Sequence, residues 1–237
     1  MFMRLHIVVE GKTEEKFVNQ ILVQHLGRFN ISADARMIQT GRTPSRRNKG
    51  GLGKLPNFDH LKNDILAWIK AESKQHVRFT TMVDLYAYPQ NAPGYEEAKK
   101  LTDAYAKVAL LEQRMAEVVN SPKFIPYIQL HEFETLLFVD FRKWNIVFPH
   151  KASRIRALEE AVKNCDNIEL INDGEASAPS KRVIRELPEY EGKKADYGYL
   201  LALHIGLEAM RSKCKHFGEW LTKLENLAGG DTFQVGV

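Results

Sequence analysis

One stretch near the N-terminus, LHIVVEGKTEE at positions 5–15, limits what the chain can fold into more than any other segment. The mainly apolar run at 5–9 is too continuous for a strand with one exposed face, so we expect a central parallel strand covered on both faces. Glu10 ends this strand, and Thr13 is placed to cap the helix that follows. Ligands of open α/β sheets bind at the carboxyl ends of the strands, which makes Glu10 the first candidate for a functional carboxylate.

The composition is that of an ordinary globular protein. Of 237 residues, 44% are hydrophobic and 27% are charged, and no apolar run approaches the ~20 residues that span a bilayer. Because the N-terminus also lacks the layout of a signal peptide, we expect a cytoplasmic protein without a membrane partner. The formal charge of +4 is compatible with a nucleic-acid partner. Cys165 and Cys214 lie far apart without metal-type spacing, so we expect free thiols rather than a disulfide.

Strand and helix patterns alternate through the first part of the chain. We predict helices over 13–27, 57–72 and 95–119, and strands over 34–39, 77–85 and 124–130. Further helices are predicted over 151–163, over 195–212 with a break at Gly206, and from 214 onward. These patterns indicate an α/β fold, with a parallel sheet flanked by helices over 1–140 and a helical C-terminal part over 141–237 packed on it.

Three further acids lie near the carboxyl ends of predicted strands. Asp84 lies near the end of the third strand, and Glu132 and Glu134 follow the fourth. Since the carboxyl ends of parallel strands meet at one edge of a sheet, we expect such side chains to converge with Glu10 on one cation. If the segment after the fourth strand is helical, His131 and Glu134 share a face and Glu132 points elsewhere. An ordinary turn or helix start is the alternative for each acid.

Two clusters of basic residues are candidates for contact with nucleic acid. The segment over 39–54 is rich in glycine and has no acidic residue; its basic residues are Arg42, Arg46, Arg47, Lys49 and Lys54. A second cluster, at the start of a predicted helix, contains Lys181 and Arg182. Clustered Arg and Lys bind phosphate backbones by releasing counterions, whereas the alternative in both places is an ordinary solvated surface. The spacing does not match a P-loop, so nucleotide hydrolysis is not predicted.

The segment around Glu10 resembles the first motif of the Toprim domain, the metal-binding module of topoisomerases, primases and OLD-type nucleases. Its EGKTEE form resembles the OLD-like branch, in which an additional acid lies one helical turn later; here that residue is Glu14. Toprim proteins place Asp-x-Asp after a later strand, and this chain has Asp84-Leu85-Tyr86. Tyr86 departs from the pattern, because a phenol with a pKa of ~10 is a poor Mg²⁺ ligand.

The resemblance extends over nearly the whole chain. Together with QLHEFE at 129–134, APSKR at 178–182 and CKHF at 214–217, these motifs are similar to those of an uncharacterised bacterial Toprim-like family, classed as a domain of unknown function. Relatives are often encoded beside ATPases, so the resemblance implies a mobile-element or phage-defence system with an ATPase as a further partner. It also implies a Toprim-type α/β core with a helical C-terminal part.

Two functional hypotheses follow. The first is a nuclease that depends on Mg²⁺ or Mn²⁺ and cuts nucleic acid, DNA in preference to RNA. Its metal ligands are Glu10, Asp84 and one of Glu132 and Glu134. In this hypothesis Glu14 binds a second ion or acts as a base, and Lys12 stabilises the developing charge. The second hypothesis is a non-catalytic subunit that docks on nucleic acid or on an ATPase, and Tyr86 favours it.

Overall fold

The computed structural model describes residues 2–38, 57–72, 74–171 and 177–229. Within these residues five strands form one parallel sheet. The strands are Met3–Val9 (β1), Ile31–Met37 (β2), Val77–Asp84 (β3), Phe124–Ile125 (β4) and Ile128–Gln129 (β5). Their order is β2-β1-β3-β4, and β5 also pairs with β3. The prediction of an α/β fold with a parallel sheet is confirmed.

Strand β1 is central and covered on both faces, as its continuous apolar run predicts. Leu5, Ile7 and Val9 are buried in one apolar cluster, and Val8 is buried in a second cluster on the opposite face. Val9 pairs with Met37 of β2 on one side and with a residue of β3 on the other. The carboxyl ends of β1 and β3 therefore lie side by side.

Helices cover both faces of the sheet. In the first part of the chain they are Lys12–Phe17 (α1), Val23–Gly27 (α2), Phe58–Ala71 (α3), Tyr95–Ala98 (α4) and Ala104–Val119 (α5), with a π-helical turn at Val18–Leu22 that joins the first two. Helix α1 begins after Gly11 rather than at Thr13, so the prediction that Thr13 is the cap is wrong. The acid in the first turn takes the capping role, since the Glu14 side chain accepts a hydrogen bond from Gly11 N.

The second part of the chain is helical. Its helices are Trp144–Val147 (α6), Ala152–Glu160 (α7), Pro179–Glu186 (α8), Lys194–Ile205 (α9), Leu207–Lys213 (α10) and Lys215–Glu225 (α11). Short 3₁₀ segments lie at Phe133–Val139, Phe141–Lys143, Ile168–Leu170, Pro188–Lys193 and Asn226–Ala228. Gly206 separates α9 from α10 as predicted, because its φ of 82° is a left-handed conformation that a helix cannot continue through.

Two predicted elements are divided in the structure. The single helix predicted over 95–119 is wrong, because α4 ends before the chain reaches Asp103, whose carboxylate caps α5. Asp103 accepts hydrogen bonds from Tyr105 N at 2.8 Å and Ala106 N at 3.2 Å. The strand predicted over 124–130 is interrupted at Pro126, because proline has no N–H to donate to the ladder. Strand β2 also begins earlier than predicted, at Ile31.

The C-terminal helices share the core of the sheet. The indole of Trp220 in α11 donates to Thr80 Oγ1 of β3 at 3.0 Å and stacks on Tyr127 with ring centroids 4.2 Å apart. Helix α9 packs against α1 on the side of the sheet that carries Leu5 and Ile7. This packing brings residues from the second part of the chain to the end of β1.

The cysteines and the helix lengths complete the description of the fold. Cys165 and Cys214 are free thiols, as predicted. None of the helices in the described ranges has the length and apolar character needed to cross a bilayer.

Gly198 marks the closest approach of α9 to α1, and replacing it tests this packing. A Cβ at this position would lie 3.1 Å from Thr13 Cγ2 and 3.3 Å from Phe133 Cε1 and Tyr190 Oη. We expect Gly198→Ala to lower the free energy of unfolding by roughly 1–2 kcal/mol, because overpacking outweighs the better helix propensity of alanine. Denaturant unfolding measures this change. Gly192→Ala is the control, since a Cβ there meets no atom within 4 Å; equal effects of the two substitutions would contradict the tight packing.

Candidate metal centre at the carboxyl edge of the sheet

The ends of β1 and β3 carry the first two acids of the site. Glu10 follows β1, and its Oε2 accepts a hydrogen bond from the backbone N of Asp84 at 3.3 Å. Asp84 is the last residue of β3, and its Oδ1 is buried without a hydrogen-bond partner among the described residues. The two carboxyl groups thus lie at the same edge, as the parallel pairing of the strands requires.

Glu14 is held towards this edge by the backbone turn that precedes it. It lies in the first turn of α1, where its Oε2 accepts a hydrogen bond from Gly11 N at 3.0 Å. The side chain is only 6% exposed. A Cβ on Gly11 would approach Glu14 Oε2 to 3.2 Å, so the close contact favours a residue without a side chain at this turn.

Glu132 and Glu134 approach from the segment that follows β5. The helical turn begins only at Phe133, and Glu132 before it keeps an extended backbone, so the helical-face rule that separated it from Glu134 does not apply to this residue. Glu132 Oε2 accepts a hydrogen bond from Ser180 N of α8 at 2.8 Å. Glu134 is buried, and its Oε1 accepts from the hydroxyl of Tyr190 at 3.2 Å. Each of the two acids is therefore anchored by the C-terminal part of the chain.

The electrostatics show that these acids form one cluster, which we call the carboxylate cluster. Its members are Glu10, Glu14, Asp84, Glu132 and Glu134. Burial, followed by the negative charges of Glu14, Glu132 and Glu134, raises the pKa of Glu10 to about 8, although the hydrogen bond from Asp84 N lowers it in part. Burial, followed by the charges of Glu14 and Glu10, raises the pKa of Asp84 well above its usual value. Burial and the charge of Glu132 raise the pKa of Glu134 to about 7.

Three residues of the cluster's surroundings were missed by sequence reasoning. Lys194, the first residue of α9, is the cation whose charge lowers the pKa values of Glu14 and Glu134 against the effect of burial. Ser180 and Tyr190 supply the hydrogen bonds described above. These contacts join residues far apart in the sequence, so no local spacing could have predicted them. Lys12, the predicted charge-stabilising residue, lies at the exposed start of α1.

Of the basic residues predicted to contact nucleic acid, only Lys181 and Arg182 belong to the described residues. Arg42, Arg46, Arg47, Lys49 and Lys54 all lie outside the described residues. Lys181 is exposed in the first turn of α8, next to Ser180. Arg182 donates to the backbone carbonyls of Ser177 at 2.7 Å and Ala161 at 3.3 Å, so its guanidinium helps to hold the start of α8.

The donor set fits a hard divalent cation by its chemistry. All five side chains of the carboxylate cluster offer carboxylate oxygens, the ligands that Mg²⁺ prefers and Mn²⁺ accepts. Asp84 Oδ1 is buried and lacks a hydrogen-bond partner in the described ranges, so a bound cation would satisfy this oxygen. As they stand, no three His, Cys, Asp or Glu side chains of the described residues are arranged to hold a metal ion. Binding would therefore require the carboxylates to move towards one another.

Fold and site define a class of protein: an α/β protein with a parallel sheet whose carboxyl edge carries a buried carboxylate cluster. The chain belongs to the family described as "Domain of unknown function (DUF4276)", whose model matches residues 9–225 and so includes the cluster. A comparison with curated proteins finds no match. A solved structure of the C-terminal region of the Xanthomonas campestris pv. campestris OLD protein is 14% identical, with a TM-score of 0.36 over 94% of this chain and 98% of that chain.

The raised pKa values predict how stability depends on pH in the presence of a metal chelator. Glu10 and Glu134 have folded-state pKa values of about 8 and about 7, above the usual 4.5. The native state therefore holds protons that the unfolded chain has released, and stability falls as pH rises between about 4.5 and 8. We expect thermal unfolding in chelator to show this fall, with Glu10→Gln more stable than the wild type at pH 8. Gln keeps an oxygen that can accept from Asp84 N.

Glu117→Gln is the matched control for this measurement. Glu117 is exposed and lies 3.0 Å from Arg114, which lowers its pKa. Its removal is expected not to stabilise the protein at pH 8. A fall in stability that is equally steep in Glu10→Gln and in the wild type would contradict the raised pKa of Glu10.

Proposed function

We propose that this protein is a nuclease that depends on Mg²⁺ or Mn²⁺ and cuts the phosphodiesters of nucleic acid, DNA in preference to RNA. The observation that carries the proposal is the convergence of acids from three separate stretches of the chain, with Glu10 and Asp84 joined directly by a hydrogen bond. Buried carboxyl groups that raise one another's pKa values are a common feature of functional sites. The similarity of the motifs to the Toprim domain supports the same reaction.

The residues of the cluster would have distinct roles. Glu10, Asp84 and one of Glu132 and Glu134 would hold the ion, which would polarise the phosphodiester and lower the pKa of an attacking water. Glu14 is held by Gly11 N close to these acids and would accept a proton or bind a second ion. The positive charges of Lys194 and of Lys12, at the exposed start of α1, would offset the negative charge of the substrate.

Nucleic acid would reach the cluster along basic surfaces. Lys181 lies next to Ser180, the residue that holds Glu132, so a phosphate bound there would lie near the cluster. Arg46 and Arg47, with the other basic residues of 39–54, would also bind the phosphate backbone. A mobile-element or phage-defence role with a partner ATPase is part of this proposal and rests on the family resemblance alone.

Metal binding and cleavage are tested together with one variant. We expect Mg²⁺ or Mn²⁺ to raise the melting temperature of the wild type, and to raise it more at pH 8.5 than at pH 6, because protons compete with the ion for the cluster. Plasmid DNA is expected to be nicked in the presence of either ion. Glu10→Gln should lose the thermal shift and about 10²-fold or more of the cleavage rate.

Glu117→Gln again serves as the control, because it removes one exposed carboxylate and leaves the cluster intact. It should behave as the wild type in both measurements. The absence of a thermal shift with either ion at pH 8.5, or cleavage that Glu10→Gln leaves unchanged, would overturn the proposed role of the cluster.

The contribution of the basic segment is measured by the salt dependence of DNA binding. Each phosphate contact adds about 0.9 to the slope of log K against log salt concentration. We expect the double substitution Arg46→Ala and Arg47→Ala to reduce the slope by about 2 if both residues bind phosphate. Arg142→Ala is the control, since Arg142 is an exposed arginine paired with Asp140 in another part of the chain. Equal slopes for the wild type and the double variant would contradict contact by these two arginines.

A second candidate function is a non-catalytic subunit that binds nucleic acid or an ATPase. Tyr86 favours it, because the ring takes the place of an acid in the motif and contacts His131, with centroids 5.4 Å apart. Such a subunit would bind DNA with a steep salt dependence and leave it intact with and without its partner. The plasmid assay above therefore separates the two candidates.

A further inference from the structure

A cavity of about 350 Å³ lies at the N-terminal end of α5. Its lining residues are Thr102, Asp103, Ala104, Tyr105, His131 and Leu170. We propose that this cavity binds one nucleobase of the nucleic-acid substrate and prefers a base with an exocyclic amino group. The inference rests on the proposed function for the nature of the substrate, but its test measures binding alone.

His131 is the residue that points to a ligand. It is only 5% exposed, and neither of its ring nitrogens makes a hydrogen bond to a described group. The backbone of Glu169 faces the ring but lies outside hydrogen-bonding geometry. Leaving both nitrogens of a buried imidazole without partners costs free energy, and such groups call for a functional explanation. A base edge with alternating donors and acceptors would satisfy them.

The backbone at His131 supports the same interpretation. Its φ is 59°, in the left-handed region that residues other than glycine seldom occupy. Strained residues of this kind are concentrated at binding and catalytic sites. The unusual backbone places the imidazole in the wall of the cavity instead of among the apolar residues that follow it.

The walls of the cavity suit a flat ligand. The hydroxyl of Tyr105 is already used, because it donates to Glu169 Oε2 at 2.9 Å and accepts from Asn167 Nδ2 at 2.7 Å. Its ring is thus left as an aromatic wall, and Leu170, 39% exposed, adds an apolar one. Aromatic and apolar walls bind nucleobases by stacking and tolerate their planar shape.

Charge at the cavity favours a base over a phosphate. The carboxylate of Asp103 lines the cavity and already caps the free N–H groups at the start of α5, so it would repel an anion. An exocyclic amino group can instead donate to this carboxylate, as cytosine does in base recognition. Two lysines lie close to the cavity but do not line it. The positive charge of Lys107 is felt at the His131 ring, and the Lys215 ammonium lies over the Tyr105 ring, 5.8 Å from its centroid. They could meet the phosphate attached to a bound base.

The cavity is linked to the carboxylate cluster through the chain. His131 directly precedes Glu132, and its carbonyl accepts a hydrogen bond from Tyr86 N at 3.1 Å. Tyr86 follows Asp84 by two residues, and its ring contacts the imidazole. A base bound at His131 would therefore place its neighbouring phosphodiester near the cluster, and Tyr86 would support the base site.

The test is the binding of free nucleosides to the full chain without metal, followed by NMR of the His131 ring. Adenosine and cytidine, which carry amino groups, should shift these signals and bind about tenfold or more tightly than thymidine. Ribose 5-phosphate should not bind at the cavity. His131→Asn should keep binding within a few-fold, because asparagine tolerates the left-handed backbone and offers a donor and an acceptor. His131→Ala should lose about tenfold or more.

Two further variants separate binding from folding. His150→Ala, at an exposed histidine with φ 68°, measures the cost of alanine in this backbone conformation away from the cavity. Leu170→Trp should fill the cavity from an exposed position and abolish binding in a folded protein. Equal affinity for the three nucleosides, or binding that both His131→Ala and Leu170→Trp leave unchanged, would overturn the base site.

The outcomes also separate this inference from the proposed nuclease. Nucleoside binding that depends on His131, in a protein that neither binds metal nor cuts DNA, would support the base site and refute the nuclease. Metal-dependent cleavage in a protein whose nucleoside binding is unaffected by Leu170→Trp would support the nuclease and refute the base site.

Discussion

The constraint on which the site depends most is the parallel pairing of β1 with β3, which buries acidic side chains together at one edge of the sheet. Parallel pairing of β1 with β3 places Glu10 beside Asp84, and burial of both raises their pKa values because water no longer solvates the charges. A single backbone N–H, that of Asp84, donates to Glu10 and offsets part of this cost. The remaining acids then need donors of their own, and the rest of the fold supplies them through Gly11 N, Ser180 N and the Tyr190 hydroxyl.

The helical C-terminal part is therefore a component of the site as well as a cover for the sheet. Its contribution comes from three places: the start of α8, the segment before α9, and Lys194 at the start of α9. The tight contact at Gly198 brings α9 against α1, next to the turn that holds Glu14. The predicted division between 1–140 and 141–237 stays a prediction, and the site residues come from both sides of it.

Sequence reasoning was most successful where one local rule decides the outcome. A continuous apolar run placed β1 in the centre, and parallel topology then brought Glu10 and Asp84 to one edge. Sequence reasoning was wrong where a helix was assumed to continue across a boundary that the structure places elsewhere. The apolar periodicity over 95–119 concealed the Asp103 cap, and the helical-face rule was applied to Glu132 although the helical turn starts only at Phe133. Lys194 and Tyr190 were missed because contacts between residues far apart in the chain produce no regular pattern in the sequence.

Other buried acids of the same chain show what a purely structural acid looks like. Glu169 is fully buried and accepts from His216 N, Phe217 N and the Tyr105 hydroxyl. Glu225 is paired with both His25 and Arg211. Each of these acids has several donors or opposite charges around it, which is the rule for buried charges in stable cores. The carboxylate cluster departs from this rule, because its acids raise the pKa of Asp84 by their charges and Asp84 Oδ1 has no partner in the described ranges. The fold orients these acids at a cost in stability, and a cation would be the natural counterpart of that arrangement.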